Sequence, residues 1–309
     1  MVRSFGIRSS QLTTQDSPLT LLVMTIQTLT IVGVGLIGGS IGLAAKKRGL
    51  AERVLGVGRR QASLQEALAR GAIDEAFVDL SEAANRADVA IFCTPVDMIA
   101  EQILTAALRC KAGALLTDAG STKAALVRSL AGRLPSDVSY VGSHPLAGSE
   151  KRGPEYADAN LFDGKVTVIT PTADTNGAVL DRLSAFWKAL GSDVRIMDPE
   201  EHDRGLALTS HVPHLVAAAL VSLLRPELLP LTATGFRDTT RVAAGDPALW
   251  TGIFLQNRDA VLAGLELVQG NLERFRQALT RSDRVTLDRL LTESKLLRDT
   301  LEKNSSRRA

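Results

Sequence analysis

The run LTIVGVGLIGGS, residues 29–40, constrains the fold of this chain more than any other feature. An apolar, β-branched segment leads into G-x-G-x-x-G, and the residues that follow are typical of a helix. In the first βαβ unit of a doubly wound sheet, such glycines permit a tight turn, close approach of a pyrophosphate, and close packing of helix on strand. Backbone N–H groups at the start of the helix then bind the phosphates. The sequence therefore predicts a dinucleotide site rather than a merely structural turn, with cofactor-binding residues Gly33, Gly35, Leu36, Ile37 and Gly38.

Further apolar runs alternate with helical segments as far as residue 197. The predicted strands include RVLGV, DVAIFC, GALLTD, VSYVG, KVTVIT and DVRIM. Their near-continuous apolar character favours a parallel sheet that is covered on both faces. The pattern predicts an α/β fold, a doubly wound (Rossmann) dinucleotide-binding domain, over residues 28–198.

From residue 199 onward the sequence shows only helical patterns. Ser282 is a candidate N-cap between two amphipathic stripes. The stripes consist of Val261, Leu265, Val268, Leu272, Phe275 and Leu279, then Leu287, Leu290, Leu297 and Leu301. Two long amphipathic helices in a small domain predict packing against a second copy, although an intramolecular bundle is the alternative. Residues 199–309 are therefore expected to form an all-α substrate and dimerisation domain.

The remaining composition narrows the class of protein. Lys plus Arg number 36 against 34 Asp plus Glu, a net charge of +2, so the sequence offers no electrostatic reason to expect a nucleic-acid or membrane partner. The two cysteines fit a reducing cytoplasm. Residues 1–27 are interpreted as a disordered N-terminal extension or the result of initiation at Met24, with a targeting segment as the alternative.

The end of the second predicted strand bears on the choice of cofactor. An enzyme that uses NAD is expected to carry an acid there for the ribose hydroxyls, but this chain has GVGRRQAS. Gly58 leaves room for a 2′-phosphate, and Arg59 and Arg60 offer guanidinium donors to it. The alternative is a solvated basic turn. The sequence favours NADP.

All four histidines of the chain lie in distinctive segments. His144, in SHPLAGSEKRG, follows a predicted strand and is a candidate general base, with a structural loop histidine as the alternative. Ser210 and His214, from SHVPH at a predicted helix start, would share one helix face. No carboxylate or cysteine completes a ligand set with His211 and His214, so no metal is expected. His202, at the domain joint, is either an interface residue or a ligand.

The segment GFRDTTRVAAGDPALW, residues 235–250, contains Arg237 and Arg241 among small and apolar residues. An arginine there could hold a substrate carboxylate through two parallel hydrogen bonds. An ion pair with Asp238 or Asp246 is the alternative.

Taken together, the motifs GVGLIGGS, CTPVD, TDAGSTK, SHPLAGSEKRG, SHVPH and GFRDTTRVA resemble those of the arogenate/prephenate dehydrogenase family, in the same order and spacing. The resemblance runs from about residue 28 to the end of the helical domain. It implies that His144 abstracts the proton of the ring hydroxyl and that Ser121 lies near the nicotinamide. It also implies that Ser210, His214 and Arg241 bind the substrate, that Thr94 and Pro95 pack along the cofactor, and that the helical domain forms a homodimer.

The implied reaction is oxidative decarboxylation of a cyclohexadienol on the way to tyrosine. We expect NADP as the cofactor. We expect arogenate as the substrate, because Glu150, Asp203 or Asp238 could pair with the substrate ammonium. Prephenate is the alternative substrate. Two other interpretations are a β-hydroxyacid dehydrogenase, which would need a lysine that residues 199–294 lack, and a non-catalytic NADP-binding scaffold.

Overall fold

The structure is a computed structural model and describes residues 26–149 and 151–306. Most of the predicted N-terminal extension, residues 1–25, lies outside the described residues. Its last two residues, Ile26 and Gln27, belong to the first strand, so the sheet begins two residues before the predicted boundary.

The central sheet has six strands in the order β3-β2-β1-β4-β5-β6, and all five pairings are parallel. The strands are β1 (Ile26–Val32), β2 (Ala51–Val57), β3 (Glu75–Phe77), β4 (Val89–Phe92), β5 (Leu115–Asp118) and β6 (Ser139–Tyr140). The connecting helices are α1 (Leu36–Lys47), α2 (Gln61–Ala69), α3 (Leu80–Ala84), α4 (Val96–Ala107) and α5 (Ala124–Leu130). The strand order reverses direction between β1 and β4, which opens a crevice at their carboxyl ends.

Both faces of this sheet are buried, as the apolar runs predict. Leu29 and Ile31 of β1 join a core cluster with Ile41 of α1 on one face. The neighbouring Val32 points to the other face and packs in a cluster with Ile99 of α4. Because successive side chains of a strand alternate between faces, only a strand that is covered on both sides buries all of them.

A second, smaller sheet follows the central sheet along the chain. It contains β7 (Gly142–Pro145), antiparallel to β8 (Val166–Thr170), which in turn is parallel to β9 (Asp193–Ile196); α6 (Gly177–Ala189) precedes β9. The prediction of one continuous parallel sheet is therefore wrong beyond β6. The predicted strand VSYVG is divided at Val141, with β6 pairing to β5 and the following residues pairing to β8. An apolar pattern does not reveal which neighbour a strand pairs with.

The rest of the described chain is helical. It contains α7 (Pro199–Leu206), a π-helical turn (Ala207–His211), α8 (Val212–Val221), α9 (Thr234–Thr240), α10 (Pro247–Gln256), α11 (Arg258–Thr280) and α12 (Arg284–Ser306). Short 3₁₀ turns occur at Pro154–Tyr156, Pro226–Leu231 and Arg241–Ala244. Asp283 rather than the predicted Ser282 caps α12, since its Oδ1 accepts the Thr286 N–H at 3.0 Å. No helix among residues 26–149 and 151–306 is long and apolar enough to cross a membrane.

Candidate active site

The glycine loop at the crevice has the geometry of a phosphate cradle. Gly33 has a φ of 97°, and a Cβ there would lie 2.9 Å from the Cys93 carbonyl carbon. A Cβ on Gly38 would lie 2.1 Å from the Gly33 carbonyl oxygen, so this close approach of helix to strand needs glycine. A Cβ on Gly35 would meet no atom within 4 Å. Since α1 has no acid in its first turn and no side-chain cap, its N-terminus and the space above Gly35 fit a dinucleotide pyrophosphate.

The other predicted cofactor residues surround this loop. Thr94 lies beside Gly33, because a Cβ on Gly33 would approach the Thr94 Cγ2 to 3.0 Å. Pro95 follows at the start of α4. Leu36 and Ile37 lie near Gly148, where a Cβ would be 4.0 and 3.4 Å from their side chains. The segment after β7 therefore lies next to the start of α1.

Arg59 and Arg60 lie exposed where β2 leads into α2. The N–H of Gly58 donates to the Phe77 carbonyl at 3.0 Å, which shapes this turn. Within the described residues neither arginine forms an ion pair, and the first turn of α2 contains no acid. Both guanidinium groups are thus accessible at the end of β2, where a dinucleotide ribose is expected.

His144 lies within β7 and not in the predicted loop after a strand. It pairs with Val168 of β8, and only 9% of its surface is exposed. Its Nδ1 is 2.9 Å from the Nε2 of His202 on α7. Strand position gives the ring a more rigid backbone than a loop would.

Burial lowers the pKa of His144 well below its usual value, and His202, Lys123 and His211 lower it further. The imidazole is therefore neutral near pH 7, which is the state a proton acceptor requires. A neutral, buried imidazole is the state that the general-base prediction requires, and the role of His144 stays a prediction.

The sequence analysis left His202 as an interface residue or a ligand and did not connect it with Asp203 or with His144. The Nδ1 of His202 is 2.8 Å from the Oδ1 of Asp203. The two Asp203 oxygens accept the backbone N–H groups of Lys123 and Ala124 at 2.8 and 2.9 Å. Both Asp203 oxygens therefore already accept hydrogen bonds from the start of α5 and from His202. The structure thus argues against the expectation that Asp203 pairs with a substrate ammonium. An adjacent His-Asp pair in a chain with four histidines was the available signal.

A buried ionic network supports the strand that carries His144. Lys123 and Asp118 form an ion pair between fully buried side chains, and the Lys123 Nζ also donates to the Ser143 carbonyl at 2.8 Å. Asp118 accepts the Tyr140 hydroxyl at 2.9 Å. Ser121 lies half-buried in the loop between these groups, and its hydroxyl has no hydrogen bond within the described protein. The loop that contains Ser121 is thus held at both ends while the serine itself stays available.

The π-helical turn alters the face that the helical half presents to the site. His214 follows His202 by twelve residues, an offset of about 120° in a regular α-helix. One extra residue in a π turn reduces this to roughly 20°. The predicted helix start at SHVPH is wrong, because α7, this turn and α8 are continuous. Ser210 lies within the turn.

His214 forms part of an aromatic cluster that the sequence did not indicate. Its ring stacks on Trp250 with centroids 3.6 Å apart, and its buried Nδ1 has no hydrogen-bond partner within the described protein. A Cβ on Gly245 would lie 2.8 Å from His214 and 2.4 Å from Trp250. Burial lowers the pKa of His214, so the ring is neutral and offers hydrogen-bonding capacity to a ligand.

Asn257 links His211 to the same network. Its Nδ2 donates to the Asp203 carbonyl at 2.8 Å and lies 3.1 Å from the His211 Nδ1. Burial lowers the pKa of His211 to about 4. All four histidines of the chain are therefore joined by a continuous set of contacts that runs through Asp203, Asn257 and Trp250.

Arg241 is exposed at the start of the 3₁₀ turn that ends beside His214 and Trp250. Among the described residues it forms no ion pair, so neither predicted partner holds it. Asp246 instead caps α10 and pairs with Arg152 at 2.6 Å. Arg237, also exposed, lies on α9. Within the described residues no group of three or more His, Cys, Asp or Glu could hold a metal ion.

Comparisons with known proteins identify the family of this chain. A family model described as prephenate dehydrogenase, nucleotide-binding domain, matches residues 41–196, and one described as prephenate dehydrogenase, dimerization domain, matches residues 198–293. Prephenate dehydrogenase of Bacillus subtilis is 34% identical over 89% of this chain and 76% of its own length. Cyclohexadienyl dehydrogenase of Zymomonas mobilis is 32% identical over 82% of this chain and 89% of its own length.

Two solved structures share the fold over most of the chain. Prephenate dehydrogenase from Aquifex aeolicus in complex with hydroxyphenyl propionate and NAD⁺ matches with a TM-score of 0.84 and 33% identity, covering 89% of this chain and 98% of that one. Synechocystis arogenate dehydrogenase matches with a TM-score of 0.76 and 30% identity, covering 89% and 100%. The chain therefore belongs to the arogenate/prephenate dehydrogenase family, oxidoreductases with a nucleotide-binding domain and a helical domain.

Proposed function

We propose that this protein oxidises and decarboxylates a cyclohexadienol carboxylate of the prephenate type, with NADP as the hydride acceptor. The observation that carries the proposal is the position of His144. This buried neutral imidazole contacts His202 on α7, and the segment that follows its strand lies beside the start of α1. The family supports the reaction class, which serves tyrosine biosynthesis.

The geometry suits each step of this chemistry. The His144 ring nitrogen that does not face His202 accepts the proton of the substrate hydroxyl. The nicotinamide, when bound, supplies the acceptor for the hydride from the carbon that bears this hydroxyl. The Ser121 hydroxyl is free to donate to the same substrate oxygen. The buried surroundings of His144 exclude water, and aromatisation of the ring after loss of CO₂ makes the reaction effectively irreversible.

The helical half positions the substrate in this scheme. Arg241, which is not neutralised by any acid among the described residues, binds a substrate carboxylate through paired hydrogen bonds. Ser210 and the neutral ring of His214 provide further polar contacts. Trp250 stacks behind His214 and fixes the plane of its ring.

Prephenate is the substrate we favour over arogenate. Arogenate carries an ammonium that needs an acidic partner, and Asp203 is already bound by two backbone N–H groups and His202. Arogenate is the second candidate because Asp238, on α9 three residues from Arg241, is exposed and unpaired among the described residues. Glu150, the other expected acid, lies outside the described residues.

NADP rather than NAD is proposed from the turn after β2. Gly58, Arg59 and Arg60 place no carboxylate near the expected ribose, and both arginines are accessible. A 2′-phosphate would find charge-assisted donors there instead of repulsion.

The test is NAD(P)H formation by the purified protein with prephenate and with arogenate, each combined with NAD and with NADP. Turnover is expected to be greatest with prephenate and NADP. His144→Asn is expected to lower kcat by roughly 10²- to 10⁴-fold while NADPH affinity stays unchanged. NADP binding without turnover in any pairing would instead support the scaffold interpretation, and an unchanged rate for His144→Asn would remove its proton-transfer role.

We also propose that the active form is a cytoplasmic homodimer that associates through the helical domain. The family model for this region is that of a dimerization domain, and Leu272 and Leu279 of α11 are more than half exposed in the single chain. Sedimentation of the wild type and of a Leu272→Glu/Leu279→Glu variant tests the interface. The wild type is expected to sediment as a dimer and the variant as a monomer; a wild-type monomer would contradict the proposal.

A further inference from the structure

The hydrogen bonds behind His144 form a single buried chain that ends at a helix N-terminus. They run from His144 Nδ1 to His202 Nε2 at 2.9 Å, and from His202 Nδ1 to Asp203 Oδ1 at 2.8 Å. The carboxylate also receives the backbone N–H groups of Lys123 and Ala124 where α5 begins. His144, His202 and Asp203 are all at least nine-tenths buried.

We propose that His202 and Asp203 are positioning residues that fix the tautomer of His144, and that His202 receives the second proton of His144 during turnover. This inference rests on the proposed function, in which His144 accepts the substrate hydroxyl proton. It adds a proton relay of two imidazoles and one carboxylate to that role.

The backbone N–H groups of Lys123 and Ala124 indicate the direction of the hydrogen bonds that link Asp203, His202 and His144. An N–H group only donates, so Asp203 is an acceptor from Lys123 and Ala124. With the carboxylate also accepting from His202, the proton of neutral His202 lies on Nδ1 and its Nε2 keeps a lone pair. That lone pair accepts the Nδ1–H of His144. The His144 Nε2 is then left unprotonated, which is the form a general base needs.

The same contacts explain how a buried histidine accepts a proton. Burial lowers the pKa of His144, and the nearby His202, Lys123 and His211 lower it further; Lys123 is itself held by Asp118 and the Ser143 carbonyl. A full positive charge on the His144 ring is therefore disfavoured. When Nε2 takes the substrate proton, the Nδ1 proton moves to His202 Nε2. His144 is neutral again, and the charge resides on His202 beside Asp203, with no other reactant required.

Two substitutions of His202 separate orientation from proton transfer. In His202→Gln the amide oxygen can still accept the His144 Nδ1–H but cannot take up its proton. In His202→Asn the shorter amide does not reach His144. We expect kcat to fall roughly 10²-fold in His202→Gln and roughly 10³-fold in His202→Asn, with KM and NADPH affinity within about 3-fold of wild type. The matched control is Glu201→Gln, an exposed neighbour on the same helix, with a rate within about 2-fold of wild type.

The pH profile provides a readout that a merely structural role would not change. The Asp203 charge favours the protonated histidine pair, so Asp203→Asn is expected to move the acidic limb of kcat/KM to lower pH. Lys123, Asp118 and His211 are the other charged or titratable groups facing the pair, and they are unaltered in this variant. Unchanged kcat in His202→Gln together with an unmoved limb in Asp203→Asn would overturn the relay.

Nitrogen NMR of the ¹⁵N-histidine-labelled wild type tests the relay without any assay of turnover. The resting protein is expected to show His144 with its proton on Nδ1 and a bare Nε2, and His202 with its proton on Nδ1. A proton on the His144 Nε2 at neutral pH would overturn the relay even if every catalytic variant failed to fold. Wild-type protein that is inactive with every substrate and cofactor pairing would overturn the proposed function, while these spectra still decide the tautomers.

Discussion

Two glycines of the phosphate loop should respond oppositely to the same added methyl group. In Gly35→Ala the Cβ meets nothing within 4 Å, and the backbone, with φ −80° and ψ −155°, suits alanine. Folding is therefore unaffected or strengthened by about 0.4–1 kcal/mol. The methyl group nevertheless occupies the space through which a pyrophosphate reaches the backbone. Loss of one charge-assisted hydrogen bond, about 2 kcal/mol, predicts roughly 30-fold weaker NADPH binding.

Gly38→Ala should instead destabilise the fold. Its Cβ would lie 2.1 Å from the Gly33 carbonyl oxygen and 2.9 Å from the Ile31 Cγ2, and the carbonyl belongs to the backbone and cannot rotate away. Overpacking of this kind costs about 1–3 kcal/mol, or roughly 2–12 °C in the melting temperature of a domain of this size.

Thermal melts followed by circular dichroism, with NADPH fluorescence titrations on the same samples, measure both effects. An equal fall in the melting temperature of Gly35→Ala and Gly38→Ala would refute the different roles of the two glycines. Binding of NADPH by Gly35→Ala as tightly as by wild type would refute the role of Gly35 in the approach of the pyrophosphate.

Three further perturbations address the other parts of the site. Replacing Arg59 and Arg60 with serine should raise KM for NADP by about 10-fold or more and leave KM for NAD within about 2-fold; equal effects in steady-state assays would mean that the arginines only solvate a turn. Lys123→Met leaves a buried carboxylate unpaired and should cost about 3–5 kcal/mol in urea unfolding, whereas Lys111→Met at an exposed pair should cost less than about 1 kcal/mol. Similar urea-unfolding midpoints for Lys123→Met and Lys111→Met would contradict the expectation that burial makes the Lys123–Asp118 pair more important for stability. Because the pKa of His211 is lowered to about 4, the unfolded chain binds more protons below pH ~6.5, and stability should fall as pH drops from there towards 4. In His211→Asn the free energy of unfolding should fall by about 2 kcal/mol less between pH 6.5 and 5 than in the wild type. An unchanged dependence of the urea-unfolding midpoint on pH would show that His211 is not its source.

Local patterns predicted the elements but not their partners. The apolar runs located five of the six strands of the central sheet and missed the three-residue β3. VSYVG was interpreted as one strand because its hydrophobicity is the same on both sides of Val141. The division into β6 and β7 follows from pairing with β5 and β8, which are distant in sequence. His144 consequently lies in a strand that the sequence did not predict.

The helical half shows the same limit. The sequence predicted its helices and the stripe along α11. It also predicted that a helix begins at SHVPH, whereas this segment lies inside a continuous run of α7, the π turn and α8. Helical periodicity assumes a constant turn, and one inserted residue shifts every later side chain by about 100°. Trp250, which packs on His214, gave no signal of its own because stacking depends on the relative positions of two helices.

The amino-acid sequence by itself determined the dinucleotide loop, the alternation of strand and helix, and the change to an all-helical second half. These depend on contacts between residues close in sequence and on a spacing of glycines that few other structures require. Tertiary structure alone decided that His202 and Asp203 stand behind His144 and that Lys123 is buried beneath it. Burial and hydrogen bonding between α7, α5 and β7 set the protonation state of the base. Such contacts join residues 20 to 80 positions apart, which no local pattern encodes.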